Sequence, residues 1–116
     1  DKILELVPIE RGISGRITKM NIKGVSNNKP YDFTIQSEYE IRRVLHPKFL
    51  YSSAFIIIAN SDADTFLSQL TLKGAGWGHG VGLCQIGSLG MALEGKLYDQ
   101  ILSHYFLSTE LKKLYD

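Results

Sequence analysis

The chain has 116 residues, of which 44% are hydrophobic and 22% are charged, and its formal net charge is +1. This length suffices for one modest hydrophobic core, so we expect residues 1–116 to form a single domain. The nearly balanced charge and the scattered basic residues argue against a nucleic acid or an anionic membrane as partner. No apolar run approaches the roughly 18 residues of a transmembrane helix. A single cysteine excludes an internal disulfide and a multi-cysteine zinc site.

The first third of the chain carries strand signals followed by a clear helix start. Residues 13–23 are rich in β-branched side chains and predict a strand, residues 24–30 a turn, and residues 31–35 a short return strand. Ser37 and Glu40 have the spacing of a capping box, in which each side chain bonds the other residue's backbone N–H. Pro47 is expected to end this helix, with His46 as an exposed charge partner at its C-terminus.

The rest of the chain predicts two strands, a glycine-rich stretch and two helices. The strands are expected at residues 53–59, a run short enough for a buried strand, and 65–73, with a polar loop at 60–64. The helices are expected at residues 83–94 and 98–106, with Gly95 as a C-terminal cap. The doublets Arg42-Arg43 and Lys112-Lys113 are interpreted as solvated surface. The predicted class is α+β, with short antiparallel strands, a capped helix and two C-terminal helices after the glycine-rich loop.

Glycine occupies every even position from 74 to 82. In an extended chain successive side chains alternate between two faces, so the glycines would share one face and Trp77 and His79 the other. The preceding apolar positions Leu70 and Leu72 are also even, which predicts that the glycines face the core. Trp77 and His79 are then expected to be open to solvent, provided that no glycine bulge reverses the phase.

An open Trp77 beside His79 suits a carbohydrate ligand. An aromatic ring accepts the apolar C–H face of a pyranose, and an imidazole both donates to and accepts from hydroxyl groups. The alternative for Trp77 is packing in the core, and the alternative for His79 is a structural histidine with satisfied hydrogen bonds. The backbone of Gly78, Gly80 and Gly82 is expected to border the same binding surface.

Other chemistries fit the sequence less well. Residues 74–90 contain no Gly-x-Gly-x-x-Gly fingerprint, and the P-loop-like run at 90–97 ends in leucine where Ser or Thr must bind magnesium. A nucleophilic pair of Cys84 and His79 has no evident orienting Asn or Asp. His79 and His104 have no third metal ligand at recognisable spacing, so we expect neither a metal nor a cofactor.

The predicted helix after the loop has glycine at two interior positions, 87 and 90. Gly87 and Gly90 each cost about 1 kcal/mol of helix propensity relative to alanine. We therefore expect another backbone or a ligand to press against that face. Gln85, in the first turn, is expected to point toward the same opening as His79.

The stretch Gly76-Trp-Gly-His-Gly-Val-Gly-Leu-Cys-Gln85 resembles the end of SpoIID/LytB domains. The matching positions continue through Gly87, Met91-Ala92, Gly95, Tyr98, Ile101-Leu102 and His104-Tyr105. Upstream, Ser14-Gly-Arg16 and the stretch from Ile41-Arg42 to Phe55 are also similar to the family. The resemblance covers about residues 13–115 and identifies the chain as the C-terminal part of such a domain.

The resemblance implies a role in cleaving the glycan strands of bacterial peptidoglycan. The family includes lytic transglycosylases, in which a glutamate protonates the glycosidic oxygen and the muramyl O6 closes on C1 to give a 1,6-anhydro product. It also includes enhancers of cell-wall amidases. The family's catalytic glutamate lies in an earlier alanine-rich helical motif, which none of the six glutamates here matches. Further departures are Cys84 for Ser, Ser88 for Ala, and Leu107-Ser108 for Pro-Gly.

The chain is accordingly expected to contribute a glycan groove to a peptidoglycan lytic transglycosylase, with His79 and Gln85 in supporting roles. Trp77, Gly78, Gly80 and Gly82 would bind the substrate. The expected location is the bacterial envelope outside the cytoplasmic membrane. The first alternative is a wall module that docks glycan, or enhances an amidase, without cutting. The second is a Cys/His hydrolase.

Overall fold

The computed structural model describes residues 2–61 and 67–115, and it confirms the predicted α+β class. These residues divide into two compact units, one ending at Gly80 and the other beginning at Val81. No helix in the described ranges is both long and apolar enough to cross a membrane. The expectation of a single domain stays a prediction, and each unit is described by itself below.

The first unit contains a three-stranded antiparallel sheet in the order β1-β2-β3, formed by β1 (Lys2–Arg11), β2 (Ile17–Ser26) and β3 (Lys29–Gln36). The sequence interpretation missed β1 altogether. The turn predicted at residues 24–30 is longer than the observed one. Strands β2 and β3 pair up to Ser26 and Lys29, so only two residues remain between them. These are Asn27 and Asn28, at φ 49° and 61°, and asparagine tolerates the left-handed conformation that a two-residue hairpin requires.

Helix α1 (Glu38–Val44) follows this sheet and has half of the predicted capping box. Ser37 Oγ accepts a hydrogen bond from the Glu40 N–H at 3.4 Å. The reciprocal bond is absent because the Ser37 N–H donates to the Thr18 carbonyl and the Glu40 carboxylate pairs with Arg43. That pairing raises the pKa of Arg43. The helix ends at Val44, before Pro47 is reached.

The expectation that the Arg42-Arg43 doublet is solvated surface is wrong for Arg42. Its side chain is only 11% exposed. The guanidinium donates to the Leu50 carbonyl at 2.8 Å and lies 4.4 Å from the centre of the Phe49 ring. The arginine therefore joins α1 to the segment that follows it. Its neighbour Arg43 is exposed as predicted.

A second, two-stranded sheet of β4 (Phe55–Ser61) and β5 (Leu67–Gly74) completes the first unit. The expected loop at 60–64 begins inside β4, and its residues 62–64 lie outside the described residues. Strand β4 is not buried throughout as expected. Phe55 is buried but Ile56 is 59% exposed, because only one face of this sheet packs on the core. Leu70 and Leu72 pack against the core, as the even positions predicted.

The core of the first unit lies between the three-stranded sheet, α1 and the start of β4. Ile17 and Met20 of β2 and Ile41 of α1 are completely buried. The other buried apolar residues are Leu6, Ile22, Ile35 and Phe55. Burying a side chain of this size contributes about 1.5–3 kcal/mol, so this cluster fixes the position of the β4–β5 hairpin from which the glycine-rich loop leaves.

The second unit contains two helices, α2 (Gln85–Leu93) and α3 (Tyr98–Tyr105), close to the predicted bounds. Gly95 ends α2 at φ 85°, and the Lys96 N–H returns to the Met91 carbonyl at 3.0 Å. This is the glycine cap that the sequence predicts.

Candidate functional site

The glycine-rich loop, residues 75–80, leaves the end of β5 and is not an extended continuation of it. Gly76, Gly78 and Gly80 have φ values of 85°, 76° and 71°. The two-face alternation expected from an extended chain is therefore wrong beyond Gly74, because each of these glycines turns the backbone into a left-handed conformation. Trp77 and His79 are nevertheless exposed, as the alternation predicted.

Main-chain hydrogen bonds fasten the loop to the segment that precedes β4. The Ala75 N–H donates to the Ala54 carbonyl at 3.0 Å, and the Gly78 N–H donates to the Tyr51 carbonyl at 2.8 Å. On its other side, the Gly78 carbonyl accepts from Nε of Arg16 at 2.8 Å. Both peptide groups flanking the Gly78 Cα are therefore engaged, which holds the adjacent Trp77 in one position.

Trp77 stacks on Tyr51 to form an exposed aromatic pair. The ring centroids are 4.8 Å apart and the ring planes differ by 23°. Trp77 is 77% exposed and Tyr51 is 68% exposed. The alternative that Trp77 packs in the core is thus wrong. Most of the indole surface remains open, although one of its faces is occupied by the tyrosine.

Tyr51 is the site residue that the sequence interpretation missed. It lies in an irregular segment between α1 and β4, where no periodicity assigns a side chain to a face. Its stretch, from Ile41 to Phe55, is similar to SpoIID/LytB domains, but that similarity does not single out Tyr51. The tertiary contact with Trp77 reveals it.

A shallow depression of about 180 Å³ lies beside the aromatic pair. Its lining includes Tyr51, Ser52 and Gly76 together with the apolar residues Phe55 and Leu72. An open, partly apolar depression next to an aromatic surface can accept a flat ring with hydroxyl groups at its edge.

His79 is exposed within the loop, between Gly78 and Gly80. Both neighbours have a positive φ, a conformation that favours glycine, so no side chain flanks the imidazole along the chain. Gly82, at φ 84°, is the second residue of the second unit, where a Cβ would lie 3.9 Å from the Phe106 ring. A direct contact of these glycines with a ligand stays a prediction.

Gln85 is exposed and is the first residue of α2 in the second unit. Its predicted cooperation with His79 stays a prediction. Cys84 is the N-cap of the same helix, and its Sγ accepts from the Gly87 N–H at 3.4 Å. The Cys84 carbonyl accepts from Ser88 Oγ at 2.8 Å. These bonds give Cys84 a structural role as the N-cap of α2, and the Cys/His hydrolase stays an untested alternative.

The two glycines of α2 have different surroundings. A Cβ on Gly87 would collide with the Tyr105 hydroxyl of α3, so a close neighbour is present there, although it is a side chain and not the expected backbone or ligand. A Cβ on Gly90 would meet no atom of the described residues within 4 Å. For Gly90 the expected backbone or ligand neighbour therefore stays a prediction.

The remaining histidines lie in ordinary surroundings. The Nδ1 atom of His46 accepts a hydrogen bond from the Lys48 N–H at 3.1 Å. His46 was expected to be a charge partner of the helix C-terminus. Its imidazole instead stabilises a turn through this hydrogen bond. His104 packs edge-on against Tyr105. Within residues 2–61 and 67–115, no three His, Cys, Asp or Glu side chains are grouped as metal ligands would be.

Residues 1–82 match the family model described as a domain of unknown function, DUF8618, and the chain belongs to this family. The match includes the whole first unit, with Arg16, Tyr51, Trp77 and His79. It ends two residues into the second unit.

Two curated proteins are similar to parts of the chain. An uncharacterised protein of Brachyspira hyodysenteriae is 35% identical over 98 residues, which is 84% of this chain and 23% of that protein. The stage II sporulation protein D of Bacillus subtilis is 41% identical over 44 residues, which is 38% of this chain and 13% of that protein. The chain thus spans less than a quarter of the length of these relatives. No solved structure matches it significantly.

Proposed function

We propose that the glycine-rich loop binds the glycan strands of bacterial peptidoglycan, and that the chain contributes this groove to a lytic transglycosylase. The observation that carries the proposal is the exposed Tyr51–Trp77 stack, next to an exposed His79 and an open depression. The partial similarity to stage II sporulation protein D is compatible with a cell-wall role. The proposed location is the extracytoplasmic envelope.

The proposed binding mode follows from the chemistry of the side chains. The open part of the indole receives the C–H face of an N-acetylhexosamine ring, and the phenol of Tyr51 fixes the indole orientation. The imidazole of His79 exchanges hydrogen bonds with a sugar hydroxyl or amide. None of these contacts requires a net charge, which agrees with the formal charge of +1 for the chain.

The fluorescence of Trp77 tests this proposal directly because Trp77 is the only tryptophan of the chain. We expect soluble oligosaccharides of alternating N-acetylglucosamine and N-acetylmuramic acid to change its emission in a saturable manner. Tyr51→Ala should weaken the response. Tyr39→Ala is the matched control, because Tyr39 is also exposed and packs on another aromatic ring, Phe49, but belongs to α1.

Two results would contradict the proposal. One is the absence of any saturable change with the wild-type chain at millimolar oligosaccharide. The other is an equal loss of response in Tyr51→Ala and Tyr39→Ala, which would show that the aromatic stack has no specific role. Saturable binding without 1,6-anhydro products from any longer protein that contains this chain would restrict the function to docking.

A further inference from the structure

The side chain of Arg16 lies in a cradle formed by the glycine-rich loop. Its Nε donates to the Gly78 carbonyl at 2.8 Å, and its terminal NH2 group lies 3.5 Å from the Trp77 carbonyl. These are charge-assisted hydrogen bonds, which are stronger than bonds between neutral groups. The contact joins residues far apart in sequence, because Arg16 directly precedes β2 and the loop follows β5.

The glycines of the loop leave the space that the guanidinium fills. A Cβ on Gly80 would lie 2.7 Å from Nε of Arg16 and still closer to NH1 and Cζ. A Cβ on Gly76 would lie 2.9 Å from NH2. A Cβ on Gly78, by contrast, would meet no described atom within 4 Å, although its φ is 76°. A side chain at 76 or 80 would therefore require the Arg16 guanidinium to shift, in addition to the strain of a positive φ.

We infer that Arg16 is the positioning residue of this site, which holds the glycine-rich loop so that Trp77 stays stacked on Tyr51 before any ligand arrives. The Gly78 N–H binds the Tyr51 carbonyl while the Gly78 carbonyl binds Arg16, so the loop backbone is held from both sides. A loop fixed in its binding conformation loses less entropy when the ligand binds. The inference deepens the proposed function and rests on it only where glycan affinity is concerned.

The mobility of Trp77 reports on this role without any ligand. In Arg16→Lys the charge remains but the planar fork of donors is lost. We expect a larger fast component in the time-resolved fluorescence anisotropy of Trp77 and easier quenching by acrylamide. The matched control is Arg11→Lys, because Arg11 also donates to two carbonyls, those of Gly15 and Phe55, but makes no hydrogen bond to the loop. The control should leave the Trp77 anisotropy as in the wild type.

A double-mutant cycle tests the cradle itself. Gly78→Ala and Gly80→Ala both place alanine at a positive φ, but only Gly80→Ala also collides with Arg16. We expect Gly80→Ala to lower the melting temperature more than Gly78→Ala does in the wild-type background. In an Arg16→Ala background the two decreases should become equal, because the collision is gone. If Arg16→Ala does not fold, Arg16→Val gives the same comparison, because the valine side chain ends before the position of Nε.

Three outcomes separate this inference from the proposed function. Unchanged anisotropy in Arg16→Lys, or an undiminished Gly80→Ala penalty without the guanidinium, would overturn the positioning role. If the wild-type chain binds no oligosaccharide, the proposed function fails while both measurements above still decide the role of Arg16. If it binds, Arg16→Lys should weaken binding by about threefold to tenfold, the loss expected from a less ordered loop.

Discussion

Trp77 and Tyr51 are joined twice, once through their rings and once through the main chain. The indole lies 4.8 Å from the phenol ring, and the Tyr51 carbonyl accepts from the N–H of Gly78, the residue after Trp77. Removing the phenol therefore removes the stacking contact and leaves the main-chain anchor intact. This separation of binding surface from anchor lets side-chain substitutions test ligand binding without unfolding the loop.

His79→Ala should impair glycan binding more than folding. The imidazole is exposed, and surface substitutions usually change stability by no more than about 0.5 kcal/mol. The loss of one hydrogen bond to a neutral sugar should cost about 0.5–1.5 kcal/mol of binding free energy. Thermal unfolding and fluorescence titration measure the two effects. A large decrease in melting temperature, with binding lost only in proportion, would show that His79 is a structural residue.

Cys84→Ser should be tolerated. The sulfur caps α2 by accepting from the Gly87 N–H, and serine is a preferred N-cap residue, so stability should stay equal or rise by up to about 1 kcal/mol. Thermal unfolding checks this, with Cys84→Val as the control that cannot accept the bond. Hydrolase activity that Cys84→Ser abolishes and iodoacetamide inactivates would instead favour the Cys/His hydrolase.

Gly87→Ala and Gly90→Ala should have opposite effects on stability although both lie in α2. The new methyl group at 87 meets the Tyr105 hydroxyl, and overpacking of this kind costs about 1–3 kcal/mol. At 90 the methyl group meets no described atom, so the higher helix propensity of alanine should stabilise by about 0.5–1 kcal/mol. Urea unfolding of both variants measures the difference. Destabilisation by Gly90→Ala would reveal a neighbour that packs on this face.

Ser53→Ala should preserve or increase stability. Ser53 is completely buried, and its hydroxyl has no hydrogen-bond partner among the described residues. Its removal eliminates an unsatisfied polar group, a gain of up to about 1 kcal/mol. Ser52→Ala is the matched control, because Ser52 Oγ accepts from the Ala54 N–H at 3.0 Å and its loss should destabilise. A destabilised Ser53→Ala variant would indicate that the hydroxyl binds a buried water molecule.

The isolated 116-residue chain should not release 1,6-anhydro products from purified peptidoglycan. The glutamates of the first unit are engaged elsewhere: Glu5 with Lys23, Glu10 with Thr18, Glu38 with Arg42 and Glu40 with Arg43. A general acid typically increases the reaction rate by about 10²–10⁴-fold, so a chain that lacks one should show no detectable turnover. Mass spectrometry of the digested wall measures this. Robust anhydro products would assign the catalytic acid to one of the glutamates of this chain.

Local signals determined the elements that the sequence predicted correctly. Ser37 caps α1 and Gly95 ends α2 because both act on backbone groups within a few residues of themselves. The exposure of Trp77 was predicted for a wrong reason, since its neighbours are left-handed glycines and not alternating strand residues. Strand β1 was missed because its partner, β2, is what makes its mixed sequence a strand.

The sequence by itself determined the α+β class, the caps at Ser37 and Gly95, and the identity of the loop that carries Trp77 and His79. Only the tertiary structure decided what surrounds that loop. Arg16 and Tyr51 reach it through contacts between distant segments, and neither periodicity nor a local motif encodes such contacts. The glycines at 76 and 80 illustrate this difference between what the sequence shows and what the tertiary structure shows. Their recurrence was visible in the sequence, but the guanidinium for which they leave space became evident only in the fold.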